Sequence, residues 1–294
     1  MATPAEWIAG ARPRTLPAAA APVLVGTGAA AQAVSWDQAG TRVVLMLLAL
    51  GVALALQVGV NYANDYSDGV RGTDLDRVGP LRLTAAGLAP PEHVKYAAFG
   101  AFGVGATLGV VLVLMTGHEW LLAVGAVAIA AAWFYTGGRQ PYGYRGFGEV
   151  GVFVFFGLVA VLGSTYIQLS RITWPAVAGA VGVGLLACAL LMVNNLRDIP
   201  TDALVGKRTL AVRIGDRRTR QTYVAMITVP LLLAMVCALV APWTLLVLML
   251  ALPVGLLSLA VLAGARGIAL VPVLAGTGLL GLGYGMLLGL GLAL

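Results

Sequence analysis

The chain is poor in charge, in aromatic rings and in the residues that cross-link or bind soft metals. Only 10% of its 294 residues are charged, 7% are aromatic, and there are two cysteines and two histidines. Cys188 and Cys237 both fall inside apolar runs, which excludes a disulfide framework and leaves them as small buried side chains. His93 and His118 show no metal-site spacing, and neither is assigned a role. So little charge beside 60% hydrophobic residues excludes an ordinary soluble domain. What is present instead is a series of apolar runs long enough for lipid.

Nine such runs are read as membrane spans, at about 13–33, 42–63, 94–116, 119–137, 150–169, 174–196, 221–241, 243–263 and 269–292, since a helix needs roughly twenty residues to cross a 30 Å core. The expected fold is therefore an all-α integral membrane protein with nine transmembrane helices. The first run holds Pro13, Pro17 and Pro22 and precedes eight others, so it is read as retained rather than as a cleaved signal. Sixteen of the 18 basic residues fall on one side of this topology, and only Arg42 and Arg171 on the other. The positive-inside bias then places the amino terminus in the cytoplasm and the carboxyl terminus outside. The net charge of +6 is explained by topology and anionic lipid, with no nucleic acid required.

Polar sequence concentrates in two expected cytoplasmic loops, 64–93 and 197–220, the usual place for function. The first opens with NYANDYSDGVRGTD. If the second helix runs on through it, Asn61, Asp65 and Asp68 share one face, because they are four and three residues apart. Asp74 and Asp76 follow two glycines, Gly69 and Gly72, that let the chain turn back. The second opens with NNLRDIPTD, where Asn194, Asp198 and Asp202 are again four apart, with Pro200 either kinking a helix or starting a new one. The same device thus occurs once in each half of the chain.

Paired carboxylate clusters suit hard divalent cations, and Mg²⁺ uses a few carboxylates while phosphate oxygens complete its octahedron. Two clusters can hold two Mg²⁺ around one diphosphate, with Mn²⁺ an alternative. Arg71, Arg77, Arg82, Arg197, Lys207 and Arg208 add positive charge, and Arg suits bidentate phosphate contacts. Diphosphate held in this way becomes a good leaving group, and the apolar helices suit a greasy substituent upon it. A polyprenyl diphosphate has both properties. A transporter would carry ionisable groups at midplane, whereas these spans hold little beyond Gln57 and Gln168; a non-catalytic scaffold would not need the paired motifs.

Four segments carry a resemblance: WIAGARPRTLPAAAAPVLVGT, NYANDYSDGVRGTDLDRVGPLRL, YTGGRQPYGYRGFGEVGVFVFFG and NNLRDIPTDALVGKRTLAVRIGD. Together they resemble the UbiA superfamily of intramembrane aromatic prenyltransferases, and within it the 1,4-dihydroxy-2-naphthoate polyprenyltransferase branch (MenA) of actinobacterial type. The resemblance implies a nine-helix bundle with a central cavity in the bacterial inner membrane, capped on its cytoplasmic side by the acidic motifs. It implies transfer of a polyprenyl group to 1,4-dihydroxy-2-naphthoate with loss of CO₂ and diphosphate, giving demethylmenaquinone. 4-Hydroxybenzoate or homogentisate is the alternative acceptor.

Carried over by motif, Asn61, Asp65 and Asp68 form the first metal and diphosphate site, and Asp198 and Asp202, with Asn194, the second. Tyr135 and Arg139 match a tyrosine and a basic residue that help hold the diphosphate, together with Arg71, Arg77, Arg197 and Lys207. Asp74 stands farther along than the superfamily's last aspartate, so it is either a ligand or part of the loop lining. Gln140 replaces a Lys found in many relatives before PYGY, which leaves Arg139 as the basic candidate.

Several residues keep two readings. Arg12 and Arg14 are either topology anchors or contacts to the acceptor's carboxylate. Glu149 either binds acceptor or pairs with Arg145. Tyr142 and Tyr144 read as an interfacial aromatic belt, and Arg217, Arg218 and Arg220 as lipid-headgroup contacts.

Overall fold

The computed structural model describes residues 2–34, 39–72 and 81–294. Asp74, Asp76 and Arg77 therefore lie outside the described residues. Every regular element among those described is helical.

A short helix α1 (Pro4–Gly10) opens the chain. Its start is a capping box: Glu6 N–H donates to Thr3 Oγ1 at 3.3 Å, and Thr3 N–H to the Glu6 carboxylate at 2.6 Å. Arg12 sits in the left-handed region (φ 52), and a 3-10 turn, Pro13–Thr15, leads into α2 (Leu16–Gln32). Helix α3 (Ala39–Arg71) follows, then α4 (Pro91–Thr116) and α5 (Leu121–Phe134). A 3-10 turn, Tyr142–Arg145, precedes α6 (Gly148–Val152), which runs through a π-helical stretch, Phe153–Leu162, into α7 (Gly163–Leu169). The carboxyl half comprises α8 (Trp174–Leu204), α9 (Leu210–Cys237), a 3-10 stretch Pro242–Leu250 leading into α10 (Ala251–Leu262), and α11 (Leu270–Ala293).

Among the described residues, seven helices are long and apolar enough to cross a membrane. The expected first and fourth spans correspond to α2 and α5, of 17 and 14 residues. At about 1.5 Å per residue, both fall short of a full hydrocarbon core. Length and apolarity therefore mark seven of the nine expected spans among the described residues.

The two expected loops are also partly helical among the described residues. Helix α3 continues two turns past the apolar run to Arg71, and α8 continues through Pro200 to Leu204, leaving only five residues before α9. The turn into α9's membrane segment is made at Gly215 (φ 79), where the helix breaks.

Close packing rests on glycine. A Cβ on Gly28 of α2 would run into the Gly289 carbonyl of α11, and one on Gly157 would stand 2.7 Å from the Gly184 Cα of α8. These approaches draw α2 to α11 and the π-helical stretch to α8, as expected where lipid supplies no hydrophobic force between helices. A narrow apolar cleft lies between α2, α8 and α11, lined by Ala18, Ala21, Val183, Leu186, Leu190 and Gly278.

Candidate active site

The polar residues gather at one end of the bundle, where α3, α5 and α8 finish and α4, α6 and α9 begin. The continuous α3 puts Asn61, Asp65 and Asp68 on one inward face, as their spacing predicts, and all three are buried. Asp65 is fully buried and accepts the backbone N–H groups of Leu83 (2.7 Å) and Thr84 (2.9 Å), fixing the turn that returns the chain to α4. Each of its oxygens keeps a second lone pair. Asp68 accepts the Tyr144 hydroxyl at 2.5 Å, and its other oxygen faces Arg82 at 3.8 Å.

Asn61 ties the amino-terminal segment to this face. Its amide nitrogen donates to the Ala11 carbonyl (2.8 Å) and Thr15 Oγ1 (2.9 Å), while its oxygen accepts from Gln57 at 3.2 Å. Arg12 and Arg14 lie between those anchored positions, with Arg14 exposed. Arg71, at the last turn of α3, donates to the carbonyls of Thr136 and Gly138, and Thr136 Oγ1 donates to Asn64 at 2.8 Å. These bonds dock the end of α5 against α3.

On α8, Asp198 and Asp202 are both buried. Arg197 holds Asp198 in a two-pronged pair at 2.6 and 2.9 Å and also donates to Asn194 at 2.9 Å. Lys207 Nζ stands 3.8 Å from Asp202 and 4.6 Å from the centre of the Tyr144 ring. Tyr144 therefore touches both motifs, through its hydroxyl on Asp68 and through the cation that pairs with Asp202.

Three expectations are corrected. Glu149 does not pair with Arg145: it is buried, where Asn195 donates to it at 3.1 Å, while Arg145 is exposed and bonds Gln140 at 3.1 Å. Arg220 is not a headgroup contact, because it lies buried, paired with Asp216 and donating to the Val261 and Ala265 carbonyls at the end of α10; Arg217 and Arg218 are exposed. Tyr144 is not part of an interfacial belt, since its hydroxyl binds a buried carboxylate. The other oxygen of Glu149, Oε2, is buried with no hydrogen-bond partner among the described residues.

Tyr135 and Arg139 have different fates. The Tyr135 ring packs edge-on against Tyr142 at 5.4 Å, and its carbonyl accepts the Gly143 N–H at 3.0 Å, so it shapes the turn that presents Tyr144. Burial pushes the Tyr142 phenol up to about 12, so it stays a neutral packing group at physiological pH. Arg139 is exposed. The sequence reading also missed Asn195, although it shares a face with Asp198 and Asp202, three and seven residues on.

Donor chemistry fits Mg²⁺. The motifs offer carboxylate and amide oxygens only, and cations beside them already balance charge. Among the described residues no three acidic, His or Cys side chains form a preassembled cage. Two small carboxylate sets are what Mg²⁺ uses when phosphate oxygens supply the rest of its shell.

Comparison with known proteins agrees with this arrangement. The profile of the UbiA prenyltransferase family matches residues 19–267. The chain is 54% identical over 282 residues to the 1,4-dihydroxy-2-naphthoate octaprenyltransferase of Mycobacterium tuberculosis, covering 95% of this chain and 94% of that one. It is 39% identical over 227 residues to the Escherichia coli protein of the same name, covering 75% and 72%. Its fold is similar to that of a UbiA homolog from Aeropyrum pernix K1, with a TM-score of 0.67 at 15% identity over 93% of this chain and 96% of that one. A UbiA homolog from Archaeoglobus fulgidus bound to GPP and Mg²⁺ superposes with a TM-score of 0.57 at 15% identity, covering 96% and 99%. Apolar helices, acidic motifs and these matches agree: the chain is a multi-pass membrane protein that belongs to the UbiA prenyltransferase family.

Proposed function

We propose that the protein transfers a polyprenyl group from its diphosphate to 1,4-dihydroxy-2-naphthoate, as a step of menaquinone biosynthesis. The observation that carries this reading is the meeting of the two acidic motifs at one end of a greasy bundle, with cations between them. High identity to proteins named for that activity supports the choice of acceptor.

Mg²⁺, as two ions, supplies electrostatic stabilisation of the departing diphosphate when bound, and Mn²⁺ is an acceptable substitute. Asn61, Asp65 and Asp68 would hold one ion and Asp198 and Asp202 the other, with Asp74 a further candidate for the first set. Arg71, Arg77, Arg82, Arg197 and Lys207 surround the diphosphate, with Tyr135, Arg139 and Asn194 at its edge. The allylic carbon–oxygen bond breaks with its electron pair leaving on diphosphate. The ring carbon bearing the carboxylate then forms the new carbon–carbon bond, and its bond to the carboxylate breaks, releasing CO₂ and returning the electron pair to the ring. The product is demethylmenaquinol, the reduced form of demethylmenaquinone.

The acceptor is a diphenol and needs positioning more than activation. The unpartnered Glu149 Oε2, held from the other side by Asn195, is suited to accept a hydrogen bond from an acceptor hydroxyl. Arg12 and Arg14, brought beside the first motif by Asn61, are suited to the acceptor's carboxylate. Apolar helices exclude water from the cation. The whole chain forms one membrane domain in the bacterial inner membrane, its motif-bearing end and amino terminus cytoplasmic and its carboxyl terminus outside.

Purified protein in detergent, given radiolabelled polyprenyl diphosphate and Mg²⁺ with or without EDTA, tests this directly. Naphthoate product that disappears with EDTA and in Asp68→Ala and Asp198→Ala is the expected result. Transfer only to 4-hydroxybenzoate would overturn the acceptor and leave the site; no transfer to either would overturn both.

A further inference from the structure

We propose that Tyr144 is a positioning residue that joins the two acidic motifs into one diphosphate-binding unit. The inference rests on the reading of those motifs as a metal and diphosphate site. Tyr144 lies in the 3-10 turn between α5 and α6, a segment to which the sequence assigns only an interfacial role. Four contacts contradict that assignment.

Its hydroxyl donates to Asp68 Oδ1 at 2.5 Å, bridging 76 residues of sequence to the first motif. Its carbonyl accepts the Arg208 N–H at 2.9 Å, which fastens the turn to the connection between α8 and α9. The Lys207 ammonium lies 4.6 Å from the ring centre and the Arg71 guanidinium carbon 5.5 Å from it. Lys207 in turn reaches Asp202 by its side chain at 3.8 Å, and its backbone N–H donates to the Asp202 carbonyl at 2.9 Å. The result is a continuous path, Asp68 to Tyr144 to Lys207 to Asp202, that crosses from one motif to the other.

The chemistry of each link suits positioning. A hydroxyl bonded to a buried carboxylate fixes that carboxylate's rotation without cancelling its charge. An aromatic face attracts cations without supplying an anion, so Lys207 and Arg71 are held in place with their charge still available to phosphate oxygens. The turn is built to present the ring: Gly143 N–H bonds the Tyr135 carbonyl at 3.0 Å, and Gly146 takes φ 76, a conformation that favours glycine. An interfacial-belt tyrosine would keep its hydroxyl in the wet headgroup layer. This one spends it on the catalytic motif.

The test uses the full chain in detergent and geranyl diphosphate with Mg²⁺ as the probe, followed by binding titration and by steady-state kinetics with 1,4-dihydroxy-2-naphthoate. Tyr144→Phe keeps the ring and loses the hydroxyl. It is expected to weaken probe binding and raise KM for the prenyl diphosphate by about tenfold, the scale of one hydrogen bond to a charged group, with KM for the acceptor unchanged. Tyr144→Leu, which also removes the face beneath the cations, is expected to lose more. In an Asp68→Asn background, Tyr144→Phe is expected to add nothing, because its partner is already altered.

Wild-type affinity in Tyr144→Phe would overturn the proposal, and so would an undiminished effect in the Asp68→Asn background. Should Tyr144→Leu not fold, Tyr144→Phe and the double variant decide alone. A wild-type protein that does not bind the probe with Mg²⁺ would overturn the site reading itself, and this inference with it; that outcome is recognised because it precedes any substitution.

Discussion

The two acidic motifs look alike in sequence and are held in different ways. In the first, neutral donors do most of the holding, backbone N–H groups of Leu83 and Thr84 on Asp65 and the Tyr144 hydroxyl on Asp68, with Arg82 3.8 Å from the other Asp68 oxygen. The second is gripped by side-chain cations, Arg197 on Asp198 and Lys207 on Asp202. Neutral donors fix geometry and leave negative charge largely intact, whereas cations balance it. Asp65 thus keeps its negative charge, whereas Asp68, Asp198 and Asp202 each have a cation beside them within reach of a diphosphate. A single site built from unlike halves can therefore offer carboxylates to metal and cations to phosphate.

Removing the carboxylates should erase function in either half. Asp68→Ala and Asp198→Ala are each expected to cut transfer by about a thousandfold or more, and EDTA to do the same, because diphosphate departure depends on fixed charge. A radiolabel assay reads all three. Equal losses would keep the halves equivalent in catalysis despite their different support.

Stability should separate them next. Arg197→Met leaves Asp198 buried without its two-pronged partner and is expected to cost about 3 kcal/mol. Asp65→Asn keeps one acceptor for the turn at 83–84 and should cost less, about 1–2 kcal/mol. Thermal unfolding in detergent orders the pair, and the reverse order would break the contrast between cation-held and backbone-held carboxylates.

Acceptor recognition should respond apart from both. Glu149→Gln is expected to raise KM for the naphthoate by about tenfold and leave KM for the prenyl diphosphate unchanged, since one hydrogen bond to a buried carboxyl is at stake. A matching rise for both substrates would move Glu149 into the diphosphate site. Smallest of all, Arg139→Ala should change either KM by less than about twofold, because the side chain is exposed. A larger effect would move Arg139 from the edge of the diphosphate site into direct contact with it.

Much of this end of the molecule was legible because local spacing carries it. Steps of three and four residues put Asn61, Asp65 and Asp68 on one helical face, and the same rule served Asp198 and Asp202. Pro200 offered either a kink or a fresh start, and α8 runs through it without a fresh start. Apolar run length located all seven helices that, among the described residues, are long and apolar enough to cross a membrane, but ran past α2 and α5, since it counts residues that the structure places in turns, such as Pro13 and Thr136. Illegible residues were those whose partners are distant in sequence: Tyr144 meets Asp68 across 76 residues, Asn195 meets Glu149 across 46 and Arg220 meets the Val261 carbonyl across 41. No periodicity reports such pairs. Tyr144 had a ready interfacial explanation, and Glu149 had a nearer cation in Arg145 that turned out to be exposed. Only Asn195 left a usable signal, its position on the Asp198 face.

The central claim is that two unlike motifs act as one site, and the most direct test is the transfer rate of Asp68→Ala, Asp198→Ala and the double variant measured side by side. Residues that act as a unit are not additive, so the double variant is predicted to be no slower than the worse single one. Multiplicative losses, or a single variant that keeps wild-type rate, would contradict the claim.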